Sequence, residues 1–151
     1  MSTRKVDLIN SALAGLGSTA ERSMRMNQRA AARLGINASD MQVLQLLQAG
    51  PRTSAELAKL TGLTTASMTG LIDRLEKADF VRRVRDDSDR RKVLVHLNDD
   101  RARADIAPLY GALLGTWRRA LSGYSIEELG LIVDFLTRVE QGFDAELGTR
   151  E

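Results

Sequence analysis

A short, highly charged run between two apolar, strand-like segments constrains the fold of this chain most strongly. The run covers residues 86–92, and strand patterns at 81–85 and 92–97 flank it. Two strand-like segments joined by a polar loop predict a β-hairpin. The loop carries Arg90 and Arg91, so the hairpin would present two cations near its tip. The alternative is a solvated hairpin without a function, because charge runs usually cover surfaces.

The segment before the hairpin has the spacing of a helix-turn-helix. Residues 53–56 read Thr-Ser-Ala-Glu, a capping box that predicts the start of a helix. Gly62 then allows a tight turn, because glycine adopts positive φ without a Cβ clash. A second helix is predicted from Thr64 or Thr65 to Ala78, with an apolar inner face and a small, hydroxylated outer face. A helix-turn-helix followed by a basic hairpin is typical of a winged-helix DNA-binding module.

The N-terminal part is predicted to be helical. Residues 5–34 form one or two helices, and Gly35 supplies the C-cap. Ser39 and Gln42 have the spacing of a capping box, which predicts that the next helix begins at Ser39. Residues 49–51, Ala-Gly-Pro, end that helix.

The C-terminal part contains two more predicted helices. Asn98 caps a long helix that reaches about residue 121, and Pro108 should kink it. Residues 125–128, Ser-Ile-Glu-Glu, form a third capping box and begin a helix that continues to about residue 147.

Apolar stripes near both termini predict a homodimer. The first stripe recurs every four residues, at Leu8, Ala12, Leu16, Ala20 and Met24. The second continues from Leu129 to Leu147, further than so small a domain could cover by itself. The predicted fold is mainly α with a small β-hairpin wing, in one domain over 1–151. It comprises a winged helix-turn-helix at about 37–98 and dimerisation helices at about 5–34 and 100–147.

The composition excludes several classes of site. Cysteine is absent, which removes disulfides, thiolate metal sites and thiol redox sensing. His96 is the one histidine, and we expect it to be a half-exposed strand residue rather than a metal ligand. The sequence also lacks a nucleophile–base set and a phosphate-binding loop, so we expect no enzymatic activity and no cofactor or metal.

The sequence predicts a cytoplasmic protein. No run approaches the ~20 apolar residues of a membrane span. Residues 1–7 lack the long apolar core of a signal peptide. We therefore expect no membrane partner.

The charge is unevenly distributed. The net charge is only +2, but residues 52–103 hold twelve basic and nine acidic side chains, whereas residues 104–151 hold four and eight. A basic middle region favours a polyanionic partner, and an acidic tail does not.

These segments together resemble the MarR family of bacterial transcriptional regulators, over nearly the whole chain. The most specific match is Asp89-Arg90-Arg91 followed by the strand at 93–97, which resembles the family's wing signature. The segments 55–58 and 71–77 resemble its recognition unit. Two positions depart from the family pattern, since Asp79 replaces the usual Gly and Asn98 a frequent Thr. Asp tolerates the left-handed conformation and Asn caps helices equally well.

The resemblance implies a triangular homodimer whose terminal helices interdigitate and whose two winged lobes face double-stranded DNA. Each recognition helix would enter a major groove and each wing tip a neighbouring minor groove. A pseudo-palindromic operator with half-sites about 34 Å apart is then expected. The family also implies repression rather than activation, and a small aromatic or phenolic effector in a cavity between the dimer helices and the winged lobe. We expect Pro108, Tyr110 and Trp117 near that cavity.

Nine residues are candidates for DNA contact: Ser54, Thr64, Thr65, Ser67, Thr69, Arg74, Asp89, Arg90 and Arg91. The planar cation of Arg91 suits a narrow minor groove, and Asp89 would hold it extended. Arg90 is expected at a phosphate. The alternative for the arginine and aspartate is a weak surface ion pair. Ser54 would meet phosphate or serve only as a helix cap.

The predicted function is a sequence-specific, ligand-responsive repressor that binds DNA as a homodimer. An alternative is a winged-helix protein with a structural or protein-binding role and no specific operator. A steep salt dependence of binding to one operator would separate the two. Met24, Met26, Met41, Met68 and Trp117 are expected mainly in the core.

Overall fold

The computed structural model describes residues 2–148. Its helices are α1 (Thr3–Leu34), α2 (Ala38–Gln48), α3 (Ser54–Thr61), α4 (Thr65–Lys77), α5 (Asp99–Arg101), α6 (Ala107–Leu121) and α7 (Ile126–Leu147). Its strands are β1 (Arg52–Thr53), β2 (Val81–Arg85) and β3 (Val93–Leu97). The chain divides into two compact units, one ending at Leu109 and the other beginning at Tyr110. The predicted class, mainly helical with a small hairpin wing, is confirmed.

The three strands form one antiparallel sheet in the order β1-β3-β2. The predicted hairpin pairs Val81 with Leu97 and Arg85 with Val93. β1 adds a third strand, with Arg52 opposite Val95. The sequence did not predict β1, because two residues are too few to show an alternating pattern. The sheet fixes the hairpin to the chain that leads into α3.

The core lies between the inner faces of the helices and the base of the hairpin. The predicted inner face of α4 is confirmed, since Met68, Leu71, Ile72 and Leu75 are all buried. Phe80, Val81 and Val95 complete the core from the strands. The alternation of β3 would place Val93 on the same face as buried Val95, but Val93 adjoins the wing loop and is exposed.

Two of the three predicted capping boxes are confirmed, at Thr53 with Glu56 and at Ser125 with Glu128. The box predicted at Ser39 is wrong. Asn37 caps α2 instead: its Oδ1 accepts from the Asp40 N–H at 2.8 Å, and its own N–H donates to Asp40 Oδ2 at 3.2 Å. Asn and Asp three residues apart form the same reciprocal pair, which places Ser39 inside the first turn.

The predicted N-terminal helix, its glycine C-cap and the left-handed turn at position 79 are confirmed. Residues 5–34 lie in one helix, and Gly35 ends it with a φ of 68°. Asp79 adopts a φ of 62°, so it takes the left-handed turn expected of a glycine. At Pro108, where the sequence predicts a kink, a π-helical turn at Ala102–Ile106 comes directly before α6. The Ala107 N–H donates to the Ala102 carbonyl, five residues earlier instead of the usual four. The helical hydrogen-bond pattern therefore changes next to Pro108, which has no N–H of its own to donate.

The expectation that five residues lie mainly in the core holds for some of them. Met41 and Met68 are fully buried. Met26 is half-buried. Met24 is 64% exposed and Trp117 is 46% exposed, so placing these two in the core of the chain is wrong.

Within residues 2–148, no group of three or more His, Asp or Glu side chains is placed to hold a metal ion. No described helix is both long and apolar enough to cross a bilayer.

Candidate nucleic-acid interface

α3 and α4 form the helix-turn-helix. The Thr53 hydroxyl accepts from the Glu56 N–H at 3.2 Å, and the Thr53 N–H donates to Glu56 Oε2 at 2.7 Å. Hydrogen bonds from the Thr53 backbone and hydroxyl lower the pKa of Glu56, helped by the charges of Arg52 and Lys92. Gly62 makes the turn with a φ of 70°. Glu56 is therefore ionised at neutral pH and holds the first turn of α3 in place.

Ser54 is not the helix cap. Thr53 fills that position, so the interpretation of Ser54 as a cap alone is wrong. Ser54 is the first residue of α3 and is half-buried. Its backbone N–H belongs to the first turn, where intrahelical acceptors are absent and anions are favoured.

The outer face of α4 carries small and hydroxylated side chains. Thr65, Ala66, Ser67 and Thr69 are all exposed. Thr64 caps the helix by accepting from the Ser67 N–H at 3.2 Å, and its hydroxyl donates to Ser67 Oγ at 2.9 Å. The Thr69 hydroxyl donates to the Thr65 carbonyl at 3.0 Å. This half of the helix therefore presents little steric bulk and no charge.

Arg74 has a partner within the protein. Its Nη2 lies 2.8 Å from Asp40 Oδ1, while the Arg74 side chain remains 56% exposed. Asp40 is 3% exposed, and its second oxygen is used by the cap of α2. A buried carboxylate needs such a partner, because an unpaired charge in the interior is costly. Arg74 therefore joins the recognition helix to the start of α2.

Arg83 ties the hairpin to the recognition helix. Its Nη2 lies 2.6 Å from Asp73 Oδ1 and its Nη1 lies 2.6 Å from Glu76 Oε2. Its backbone N–H also donates to Glu76 Oε1 at 3.0 Å. Burial alone lowers the pKa of Arg83, but the hydrogen bonds and charges of Asp73 and Glu76 outweigh it and raise the pKa. One half-buried cation thus bridges two carboxylates on α4 and fixes the hairpin beside that helix.

Sequence reasoning missed the role of Arg83. The arginine stands in a run of basic residues, and composition does not distinguish it from Arg82 or Arg85. The alternation of the strand distinguishes Arg83, on the face of buried Val81, from Arg82, but it places Arg85 on the same face as Arg83. Arg83 is half-buried, whereas Arg82 and Arg85 are exposed.

The tip of the wing is braced by its own aspartates. Asp86 Oδ1 accepts from the Ser88 N–H at 2.9 Å and from the Ser88 hydroxyl at 2.8 Å. These bonds, and then the charge of Lys92, lower the pKa of Asp86. The Lys92 N–H donates to the Asp89 carbonyl at 2.8 Å, and the Asp86 N–H donates to the Lys92 carbonyl at 3.0 Å. The Asp86 carboxylate therefore holds the conformation of the loop by hydrogen bonding within it.

Arg90 and Arg91 lie on this braced loop, and both are exposed. Asp89 Oδ1 accepts from the Arg91 N–H at 3.1 Å and lies 3.5 Å from Arg91 Nε. The Arg91 side chain is 94% exposed, so the pair contributes little to stability. Asp89 contacts Arg91 through Nε, and the Arg91 side chain stays open to solvent.

The base of the wing is fixed by Asn98. Its Nδ2 donates to the Asp79 carbonyl at 3.0 Å, and its N–H donates to the Phe80 carbonyl at 2.9 Å. The Asn98 Oδ1 also caps α5 by accepting from the Arg101 N–H. Arg101 lies over the Phe80 ring, 5.0 Å from its centre. The two positions that depart from the family pattern, 79 and 98, are therefore joined by a hydrogen bond across the base of the hairpin.

Comparison with known proteins assigns this arrangement. The MarR family model matches residues 34–92, which contain the helix-turn-helix and most of the wing. Over 150 residues the chain is 35% identical to the uncharacterized HTH-type transcriptional regulator YcgE of Bacillus subtilis, and the match covers 97% of each protein. The chain belongs to the MarR family of HTH-type transcriptional regulators. A shorter match, 40% identical over 53 residues, is to the HTH-type transcriptional repressor NicR of Pseudomonas putida, covering 35% of this chain and 34% of that protein.

The fold agrees with this assignment. A solved structure of a MarR family protein from Bacillus stearothermophilus matches with a TM-score of 0.62 at 24% identity. The match covers 95% of this chain and 98% of that chain. The likeness extends beyond the segment that the family model matches, so α1 and α7 belong to the shared fold.

The MarR-family chain also has a cavity of about 220 Å³ beside the second half of α1. Its lining contains an apolar part, Met26, Ala30 and Leu109, and two cations, Arg29 and Arg33. Leu109 directly follows Pro108, the residue around which the sequence predicts a ligand cavity. Tyr110 and Trp117 are not among the lining residues.

Proposed function

We propose that this MarR-family regulator is a sequence-specific DNA-binding repressor that acts as a homodimer and responds to a small ligand. The arrangement of α4 and the wing carries the proposal. Arg83 holds together an uncharged, hydroxylated helix face and a loop that exposes two arginines. A helix of this kind fits a major groove, and an exposed arginine fits a narrow minor groove.

Each candidate residue has a proposed role. Thr65, Ser67 and Thr69 face the bases of the major groove, and Arg91 enters the adjacent minor groove. Arg90 and the helix start at Ser54 meet phosphates, since cations and unpaired backbone N–H groups attract them. The remaining three candidates act indirectly or in part. Thr64 caps the recognition helix, and Asp89 orients Arg91. Arg74 is bound to Asp40 and can donate its remaining N–H groups to the DNA.

Exposed apolar faces near both ends of the chain support a homodimer. On α1, Leu8 and Leu13 are exposed, and on α7, Leu131, Phe143 and Leu147 are exposed. Large apolar side chains exposed in such numbers are typical of an interaction site in a globular protein. A second copy of the chain would cover these side chains in a symmetric dimer. Two winged lobes would then read two half-sites about one helical turn apart.

Repression is proposed because 53 residues of the chain are 40% identical to the HTH-type transcriptional repressor NicR. Regulation by a ligand is proposed from the cavity. Arg29 and Arg33 would bind a carboxylate or phenolate, and Met26, Ala30 and Leu109 would contact an aromatic ring. A ligand that prefers the dimer with its lobes at another spacing lowers DNA affinity by its differential binding to the two states.

The proposed function is tested by selecting duplexes from a random pool with the full-length protein and titrating the selected duplex against a scrambled one. We expect the selected duplex to bind at least 10³-fold more tightly, with an affinity that falls steeply as salt rises. Equal affinity for both duplexes would contradict the proposal.

Thermal-shift hits among aromatic carboxylates are then added to the titration. Hits that stabilise the protein without changing operator affinity would contradict the ligand response.

A further inference from the structure

We infer that α4 reads its half-site mainly through the 5-methyl groups of thymines, so that the contacted major-groove base pairs are A·T. This inference rests on the proposed function and specifies the class of operator that the helix can recognise. The evidence is that the exposed face of α4 carries methyl groups and that the nearby cations are paired with carboxylates.

The first half of α4 lacks the side chains that identify guanine and adenine directly. Arginine or lysine reads guanine, and asparagine or glutamine reads adenine, through two hydrogen bonds at once. Residues 65–72 read Thr-Ala-Ser-Met-Thr-Gly-Leu-Ile and contain none of these four types. The first turns of a recognition helix are the part that contacts base edges. Two-point recognition of a purine is therefore absent from this part of the helix.

The hydroxyl groups on this face are partly used inside the helix. Thr69 donates its hydroxyl hydrogen to the Thr65 carbonyl, and Thr64 donates its own to Ser67 Oγ. Thr65 and Ser67 keep hydroxyl hydrogens, but one hydroxyl accepts or donates at any base pair and discriminates weakly. The groups on this face that can distinguish one base pair from another are therefore apolar. The γ-methyl groups of Thr65 and Thr69 and the β-methyl of Ala66 match the methyl of thymine.

The long cation nearest to this face is restrained. Arg74 is bound to buried Asp40, so turning it fully toward a base would leave a buried carboxylate unpaired. Arg83 is likewise engaged by Asp73 and Glu76, so it offsets part of their negative charge and does not serve as a donor in the groove.

The helix can approach the floor of the groove closely. Ala66 and Gly70 are one turn apart on the side of α4 opposite its buried residues. A Cβ built on Gly70 would meet nothing within 4 Å, so the glycine is not required by packing inside the chain. Methyl groups attract only at about 4 Å, and a face of alanine, glycine and threonine permits that distance.

The test uses base analogues that change the major groove alone. A duplex selected with the full-length protein is resynthesised with uracil in place of each thymine in turn, which removes one methyl group and retains base pairing. We expect one or two positions in each half-site at which uracil lowers affinity about fourfold, the effect of exposing one buried methyl group. Replacing cytosine with 5-methylcytosine in G·C-substituted half-sites should restore part of the affinity at the same positions.

Matched variants connect the effect to the helix. Thr69→Ser keeps the hydroxyl and removes the γ-methyl, so its complex should lose sensitivity to uracil at one position. Thr69→Val keeps a methyl and removes the hydroxyl, so sensitivity should remain. Thr65→Ser and Thr65→Val form the second pair.

Two results would overturn the inference. A selected half-site rich in G·C pairs, or one in which every uracil substitution is neutral, means that a specific operator exists but is read by other chemistry. If selection yields no preferred duplex, the proposed function fails and this inference fails with it. The two failures are distinguished by whether a preferred duplex emerges.

Discussion

Replacing Arg74 with methionine tests whether this residue belongs to the fold or to the DNA contact. The change keeps the aliphatic stem and removes the 2.8 Å charge-assisted bond to Asp40, which is 3% exposed. Breaking a fully buried pair costs about 3–5 kcal/mol. Because the Arg74 side chain is 56% exposed, water can reach the orphaned carboxylate, and we expect a loss of about 2 kcal/mol in the free energy of unfolding, measured in urea.

The control and the rescue use the same structure. Lys77→Met removes an exposed cation from the same helix and should change stability by less than about 0.5 kcal/mol. Adding Asp40→Asn to Arg74→Met removes the orphaned charge while an amide oxygen still accepts the N–H of Asn37. About half of the lost stability should return. If Arg74→Met is as stable as Lys77→Met and only weakens DNA binding, Arg74 is a DNA contact and the buried-pair reasoning is refuted.

Five further changes test other parts of the molecule. Arg91→Ala should weaken operator binding by about 1–3 kcal/mol with no change in stability, and Asp89→Ala should act in the same direction but less; unchanged affinity in both titrations would remove the wing from the interface. Arg83→Met should lower the free energy of unfolding by only about 1–2 kcal/mol, because the carboxylate partners of Arg83 are solvent-accessible. The same change should weaken specific DNA binding more than non-specific DNA binding. Equal weakening of the two would show that Arg83 does not position the wing. Deleting residues 126–151 should give monomers or aggregates in sedimentation, and an unchanged, well-folded dimer would exclude α7 from the interface. The folded-state pKa of Glu56 is lowered, so the stability that Glu56 contributes is present above the ordinary glutamate pKa and is lost as pH falls through the lowered value. In acid titrations of unfolding, the free energy of unfolding of Glu56→Gln should therefore depend less on pH in that window. A pH profile identical to that of the parent protein would contradict the capping role.

Local signals made most of the fold predictable from the sequence. The turn at Gly62, the left-handed turn at Asp79 and the boxes at Thr53 and Ser125 each depend on residues within three or four positions. The inner face of α4 followed from helical periodicity alone. The start of α2 was misplaced because both Asn37 and Ser39 can cap a helix, and the sequence does not show which residue has its partner in place.

Contacts between distant residues could not be predicted in the same way. The bond from Arg74 to Asp40 joins positions 34 apart, and Arg83 reaches across a turn to Asp73. Every arginine in a basic region suits DNA equally well by composition. Packing alone separates the arginines that hold the fold from those exposed at the wing tip, such as Arg91.

Footprinting at nucleotide resolution on a selected duplex tests the central claim most directly. The wild-type protein should protect two symmetric half-sites about 34 Å apart, each with a major-groove contact and a flanking minor-groove contact. In the Arg91→Ala complex, measured at saturating protein, the minor-groove protection alone should disappear. A single asymmetric footprint, or flanking protection that persists without Arg91, would contradict recognition by a symmetric pair of helices and wings.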